Sequence, residues 1–296
     1  MFAVADAVAI LGMIFPEPQA GLISGMLFGA KASLPSDLYQ DLLQTGTVHI
    51  VALSGTNISF LLVTVGTVLS RVVSRRVALV TSVCLIWSFV GFVGFSPSVV
   101  RAALMGSLSL IGIYFGRSVW SLWIWGITCI SMIVVSPPLI TSISFQLSAF
   151  STLGLLVFGS SSANQMHANV TASVSSTVCK EVPKTPMLGP LWLHDTTRAI
   201  YKGIIETLRL TMCAQVCTIP IIFWHFREVS IISPVSNVLI GWTVGPIMMT
   251  GFTSFGLGLL HPYLGLLPGS ITYVLASYLI YVVQWTASCP WSHISL

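Results

Sequence analysis

Long apolar runs separated by short polar breaks dominate this chain. The runs cover residues 2–15, 47–70, 77–95, 97–115, 119–136, 143–160, 204–224, 235–259 and 264–286. Most approach the roughly 20 residues that a helix needs to cross the hydrocarbon core of a bilayer. The breaks carry turn chemistry: "FPEP", "SRVVSRR", "FSPS", "SPPL" and "HPYLGLLPG" are each rich in Pro, Gly or charge. In hydrocarbon every backbone polar group must be satisfied internally. The pattern therefore predicts an all-α, polytopic integral membrane protein with about eight to ten transmembrane helices, some interrupted or re-entrant.

Composition sharpens that reading. Only 7% of the 296 residues are charged and 55% are hydrophobic, whereas a soluble domain carries about a quarter charged residues. The few cations are clustered. Arg71, Arg75 and Arg76 lie in one break, Arg117 in a second, and Lys180, Lys184, Arg198 and Lys202 in the long segment 161–203. Two spans separate each cluster from the next, so all three fall on one side, which the positive-inside rule makes cytoplasmic. Beyond residue 203 only Arg227 votes. Of the six cysteines, Cys213 and Cys217 are one helical turn apart without a second ligand pair, so no metal site is predicted. No nucleotide-binding motif appears either, and the residues call for no cofactor.

Several segments stand apart. Residues 1–15 lack a basic start and a small-residue cleavage site, and read as a shortened first span rather than a signal peptide. Within 17–46, "GLISGMLFGA" is too short to span. "SDLYQDLLQTG" has Ser36 as N-cap, a stripe of Leu38, Leu42 and Leu43, and Gly46 at its end. It predicts an amphipathic helix on the outer membrane face. Segment 161–203 is rich in Ser, Thr and Asn and reads as a cytoplasmic loop.

Polar residues inside the runs are the candidate chemistry. In "HIVALSGTNISF", His49 and Thr56 share one azimuth of a helix, Ser54 and Asn57 another, and Ser59 a third. Such a segment is either buried on all sides, with hydrogen bonds to neighbouring helices, or interrupted at Ser54–Gly55 beside a wet cavity. Arg101 lies one turn inside its run. A guanidinium there either snorkels to the interface or faces an inner pathway, where it suits an anion such as phosphate. "SISFQLSAFSTLG" supplies Ser148 on one face and Gln146 on another. Gln215 precedes a helix-kinking Pro220, and "SIISPVSNVLIGW" breaks a span at Pro234 while offering Ser236 and Asn237 at depth.

In order along the chain, these segments resemble the ComEC family, whose membrane domain is the inner-membrane channel of natural transformation. The pattern H-x-x-A-x-S-G-x-[HN] is matched by His49, Ala52, Ser54, Gly55 and Asn57. The pattern S-x-x-R-A-x-x-M is matched by Ser98, Arg101, Ala102 and Met105, followed by Gly116 and Arg117. "SFQLSAFSTLGL" resembles the family's FQLS segment through Phe145, Gln146, Leu147, Ser148, Thr152, Gly154 and Leu155. The last motif corresponds to Gln215, Pro220, Phe226, Ser230, Ser233, Pro234 and Asn237. Asn57 stands where many members have His, and Ser142 to Ser144 replace an Asp-Pro-Gly. Residues 1–296 contain no counterpart of the OB-like or metallo-β-lactamase-like domains of longer relatives. They contain no His-x-His-x-Asp-His motif, so no nuclease activity is carried over.

The resemblance implies a multi-pass protein of the bacterial plasma (inner) membrane that imports single-stranded DNA during natural transformation. Residues 16–296 would form the competence domain. Arg101 would meet phosphate, and His49, Ser54, Gly55, Asn57, Gln146, Ser148, Gln215 and Asn237 would line the path with neutral groups. A DNA receptor, an import ATPase and a separate nuclease would be partners besides the lipid bilayer, and homo-oligomers are compatible. Enzymatic activity is not expected. An intramembrane serine hydrolase built on Ser54 needs a base within reach, and His49 lies about 140° around the helix from it. The remaining alternatives are a small-solute secondary transporter and a partial family member without transport activity.

Overall fold

The computed structural model describes residues 4–51, 58, 73–115, 120–159, 192–226, 228–230, 232–289 and 293–295; at residues 31, 75, 113, 192–204, 226, 228–229, 262 and 293–295 it describes the backbone alone. Ser54, Gly55 and Asn57, with the rest of their motif after Val51, lie outside the described residues, as does Arg117. The described chain is helical, with α1 Val4–Ile14, α2 Gln19–Phe28, α3 Ser36–Gln44 and the short α4 Val48–Val51. There follow α5 Arg75–Val93, α6 Pro97–Tyr114, α7 Ser121–Val135, α8 Ile143–Phe158, α9 Trp192–Phe226, α10 Ser233–Leu260 and α11 Pro262–Ala287. The all-α expectation holds, with one small antiparallel ribbon beside the helices. It joins β1 Glu228–Ser230 to β2 His293–Ser295, with Val229 opposite Ile294.

Four helices are long and apolar enough to cross a membrane, within Arg76–Val93, Ile205–His225, Ser233–Leu260 and Tyr263–Ala287. Shorter apolar helices occupy five more of the described segments. Their outward faces are apolar. On α7, Trp123, Ile127, Ile130 and Val134 are exposed, Val134 to 74%. A water-soluble protein rarely tolerates such a surface, whereas a membrane protein presents it to lipid tails.

Contacts divide the chain into two compact units. The first comprises residues 1–60, 87–103 and 222–296, and the second 61–86 and 104–221. The core of the first is α2. All its residues from Ala20 to Phe28 are buried, as befits a helix apolar on every side. The Glu17 carboxylate accepts the Gly21 amide at 3.1 Å, satisfying an orphan donor of the first turn. Gln19 Nε2 donates to Ser277 Oγ at 2.9 Å, tying α2 to α11. Phe28 meets Phe92, Phe252 and Phe255 edge-on, with centroids 5.0 to 6.1 Å apart. In the sequence this is only a short apolar stretch, because the length of α2 excludes a span and only tertiary contacts reveal a core helix.

The same unit contains the hairpin of α10 and α11, which turns at an extended His261. Near the turn, small residues let the helices touch. Ser254 Oγ donates to the Gly265 carbonyl at 2.7 Å, and a Cβ at Gly265 would lie 2.8 Å from Ser254 O. Close approach of this kind substitutes for the hydrophobic force that lipid cannot supply. Toward the other end, the Tyr278 hydroxyl donates to Leu239 O at 3.2 Å, and its ring tilts on Trp242.

Three local expectations are corrected. Pro234 does not break a span but sits in the first turn of α10, where its missing N–H costs nothing. Residues 192–203 are helical, because α9 begins at Trp192, twelve residues before its apolar run. Ser36 does not cap α3: Pro35 holds the cap position, and the Ser36 hydroxyl turns to Asp37 Oδ1 at 3.0 Å. On α3 Leu38 and Leu42 are buried, but Leu43 is 41% exposed.

Candidate functional site

The α3 C-terminus ends in a Schellman turn. Thr47 N–H bonds to Leu42 O at 2.9 Å, and Gly46 N–H to Leu43 O at 3.0 Å, with Gly46 at φ +68°. Thr45 and Thr47 are fully buried, their hydroxyls 2.8 Å apart. This turn lies against the start of α10. A Cβ on Gly46 would come within 2.9 Å of Ser233 Cβ and 3.0 Å of Ser230 Cβ. His49 Nδ1 lies 3.0 Å from the Gly46 carbonyl, and Asn237 Nδ2 donates to Ser233 Oγ at 3.4 Å. Two predicted site residues, 188 positions apart in sequence, are thus joined through Gly46 and Ser233. Ser236, one residue before Asn237, is fully buried, and its hydroxyl has no partner among the described residues.

In the sequence Gly46 shows only as a helix stop. The signal that could have revealed its second role was the pair of threonines around it, which are unusual beside an apolar span unless their hydroxyls are engaged.

Arg101 also belongs to the first unit. It lies one turn into α6 and is only 6% exposed. Its side chain is therefore held within the protein. Holding it inside demands polar company, because an isolated charge in an apolar interior is very costly.

Gln146, Ser148 and Gln215 fall in the second unit, all half-buried. Gln146 Nε2 closes the turn before its own helix by donating to Ile140 O at 2.8 Å. Trp125 Nε1 donates to Ala149 O at 3.1 Å and links α7 to α8. Gly154 of α8 meets α9 so closely that a Cβ would overlap the Cys213 carbonyl oxygen and lie 3.2 Å from Cys217 Sγ. The two cysteines therefore serve helix packing here, and among the described residues no cluster of metal-ligating side chains occurs.

Many other hydroxyls in the helices are spent locally. Thr152, Thr218, Thr243, Thr253 and Thr286 donate to carbonyls three or four residues back in their own helices. Their presence in apolar helices therefore says nothing about a wet route. Polar groups that bridge different segments include Gln19 with Ser277, Trp125 with Ala149 and Ser254 with Gly265, whereas at Gly46 and Ser233 the segments meet by close packing.

No solved structure matches the chain. It is similar to ComE operon protein 3 of Bacillus subtilis (strain 168), with 22% identity over 260 residues, covering 84% of this chain and 29% of that protein. It is also similar to the uncharacterized protein YcaI of Escherichia coli (strain K12), with 29% identity over 154 residues, covering 48% of this chain and 20% of YcaI. The chain thus spans less than a third of the length of either relative. The competence protein family matches residues 26–296, which include the Gly46–Ser233 cluster, Arg101 and both glycine-mediated helix contacts. With its membrane-length apolar helices and that match along nearly its whole length, the chain belongs to the competence protein family.

Proposed function

We propose that this protein forms part of the route by which single-stranded DNA crosses the bacterial plasma membrane during transformation. The observation that carries the reading is the close packing of Gly46, whose carbonyl lies beside His49, against Ser233, which accepts from Asn237. Two polar motif segments of a membrane protein gather at one end of a helix bundle. Hydrogen-bonding groups of that kind suit a polar solute that must bind weakly enough to leave.

Orientation supports the same reading. If the basic segments face the cytoplasm, α4 begins on the outer side and α9 ends there. The close contact of Gly46 with Ser233 and the pairing of β1 with β2 require residues 46, 228–233 and 293–295 to share one face. The outer face satisfies every one of these constraints, with α10 descending and α11 returning. By the same count Arg101 lies near the outer end of α6, where an incoming phosphodiester first meets the membrane. A buried guanidinium would offer it planar, forked donors. The energy for import and any degradation of the second strand come, on this reading, from separate partner proteins.

The test is uptake of labelled DNA by cells carrying Arg101→Ala at normal protein level. We expect internalised single strands to fall while surface binding of duplex DNA is unchanged. Normal import in that variant removes Arg101 from the route. Unimpaired transformation in a strain lacking the whole protein overturns the reading itself, and proton-coupled uptake of a small solute would replace it with a transporter.

A further inference from the structure

The segment around α2 stays at the depth of the middle of the α10–α11 hairpin. The Phe15 ring lies 3.4 Å from where a Cβ on Gly269 would stand, and Gln19 bonds to Ser277. Gly269 and Ser277 are the eighth and sixteenth of the 26 residues of α11. Glu17 lies between Phe15 and Gln19 in the chain. It is therefore held near the middle of a helix about 39 Å long, inside a hydrocarbon core about 30 Å thick.

The far end of α2 keeps to the same depth. Leu27 meets Gly251, and Phe28 meets Phe252 and Phe255. These α10 residues adjoin Thr250, which faces Thr272 in the middle of α11. Beyond Phe28 the chain turns at Gly29, with φ +72°, and comes back. A Cβ on Gly21 would overlap the Ser33 carbonyl oxygen and lie 3.1 Å from Glu17 Oε2. The arm into α2 and the arm out of it thus lie side by side.

Neither arm is α-helical. At this depth irregular backbone is tolerated only against protein or water, because lipid offers no hydrogen bonds. A carboxylate is under the same restriction. Yet Pro16, Glu17 and Ala32 are exposed on the surface of the chain. Water is the surrounding that remains. At the same level of α11, by contrast, Ile271 and Val274 are exposed and apolar, as lipid requires. From Ser33 the chain climbs to Gly46, which lies against Ser233 at the end of the hairpin opposite His261. Most of that climb is α3. It buries Leu38 and Leu42 and exposes Ser36, Asp37 and Gln40, so a polar face connects the level of Glu17 with that end.

We propose that α3 and the two arms of α2 wall a water-filled vestibule, which opens beside Ser233 and reaches Glu17 near the middle of the membrane. The count of basic segments that places Ser233 on the outer face makes the vestibule open outward. The carboxylate at its floor favours hydrated cations over anions. A polyanion entering there is repelled from the wall rather than held by it. The vestibule follows from depth and exposure alone and stands whatever the solute.

The test is the reactivity of single cysteines in right-side-out and inside-out membrane vesicles that carry the full chain, its native cysteines replaced by alanine. Two membrane-impermeant methanethiosulfonates serve as probes, one bearing trimethylammonium and one sulfonate. Both attack the thiolate, which needs water. Val274→Cys is the lipid-facing control, 64% exposed at the same level. Ala32→Cys and Glu17→Cys should react from the outer face on the order of 100-fold faster than that control, because hydrocarbon does not support a thiolate. Ala32→Cys should also prefer the cationic probe, relative to free cysteine, and Glu17→Gln in the same chain should abolish the preference. Labelling of both cysteines no faster than the control overturns the vestibule. Labelling only from the cytoplasmic face overturns α3 as its wall, and an unchanged preference in Glu17→Gln removes the carboxylate from its floor. No DNA takes part, so the result is separable from the uptake test of import.

Discussion

Gly46 and Ser233 touch so closely that a methyl group on Gly46 would lie 2.9 Å from Ser233 Cβ and 3.0 Å from its Oγ. The contact fastens the end of α3 to the beginning of α10 and sets the turn that carries His49 against the turn that carries Asn237. Its chemistry is permissive at one residue only. Gly46 needs both the left-handed backbone at φ +68° and the missing side chain.

Gly46→Ala is therefore expected to destabilise the protein twice over. Left-handed backbone costs a residue with a Cβ about 1–2 kcal/mol, and forcing a methyl into a closed contact adds about 1–3 kcal/mol. Ser233→Gly should recover part of the second cost, since Ser230 Cβ remains 3.0 Å away, and leave the first. Thermal unfolding of the detergent-solubilised single and double variants measures the coupling. Strict additivity of the two changes would refute the contact.

The hairpin predicts a different ranking at Ser254 and Gly265. Ser254→Ala removes one interhelical hydrogen bond, worth about 0.6 kcal/mol in a membrane setting. Gly265→Ala should cost more, about 1–3 kcal/mol, because the new methyl presses on Ser254 O at 2.8 Å and on Ile14 Cδ1 at 3.0 Å. The reverse ranking in urea or thermal denaturation would mean that polar bonds, rather than close backbone approach, hold α10 to α11.

In the second unit, Gly154→Leu should separate α8 from α9, since even a Cβ overlaps the Cys213 carbonyl oxygen. Cys217 faces the same contact, so its alkylation by a membrane-permeant maleimide should be faster in the variant. Equal labelling rates would place Gly154 outside a closed interface.

Asp41 gives a pH prediction. Partial burial, and then the neighbouring Asp37 carboxylate, hold its pKa above the ordinary value of 3.8. The folded state thus binds the proton more tightly than the unfolded state. Stability is greatest when Asp41 is protonated and falls as pH rises through its raised pKa. Asp41→Asn should flatten that part of the pH–stability curve. A curve of unchanged slope would assign the dependence to other groups.

Much of the helix layout was legible from one dimension. Apolar runs and their Pro- and Gly-rich breaks located α1 and α5 to α11 to within a few residues, apart from the start of α9, because bilayer thickness imposes a length that sequence displays directly. The candidate site was legible in part. His49, Arg101 and Asn237 stood out as polar residues in apolar surroundings. Gln146 stood out equally, yet it serves the turn at Ile140, because a side-chain amide can satisfy itself locally as readily as across helices.

What the sequence determined alone was the solvent: with so few charges and such long apolar runs, these helices face lipid. The tertiary structure decided which polar residues share a place. It buried α2 at the centre of the first unit, brought Gly46 against Ser233, and set Thr250 against Thr272 between α10 and α11. The physical reason is that hydropathy is summed along the chain, whereas proximity depends on which helices lack side chains at the points where they cross.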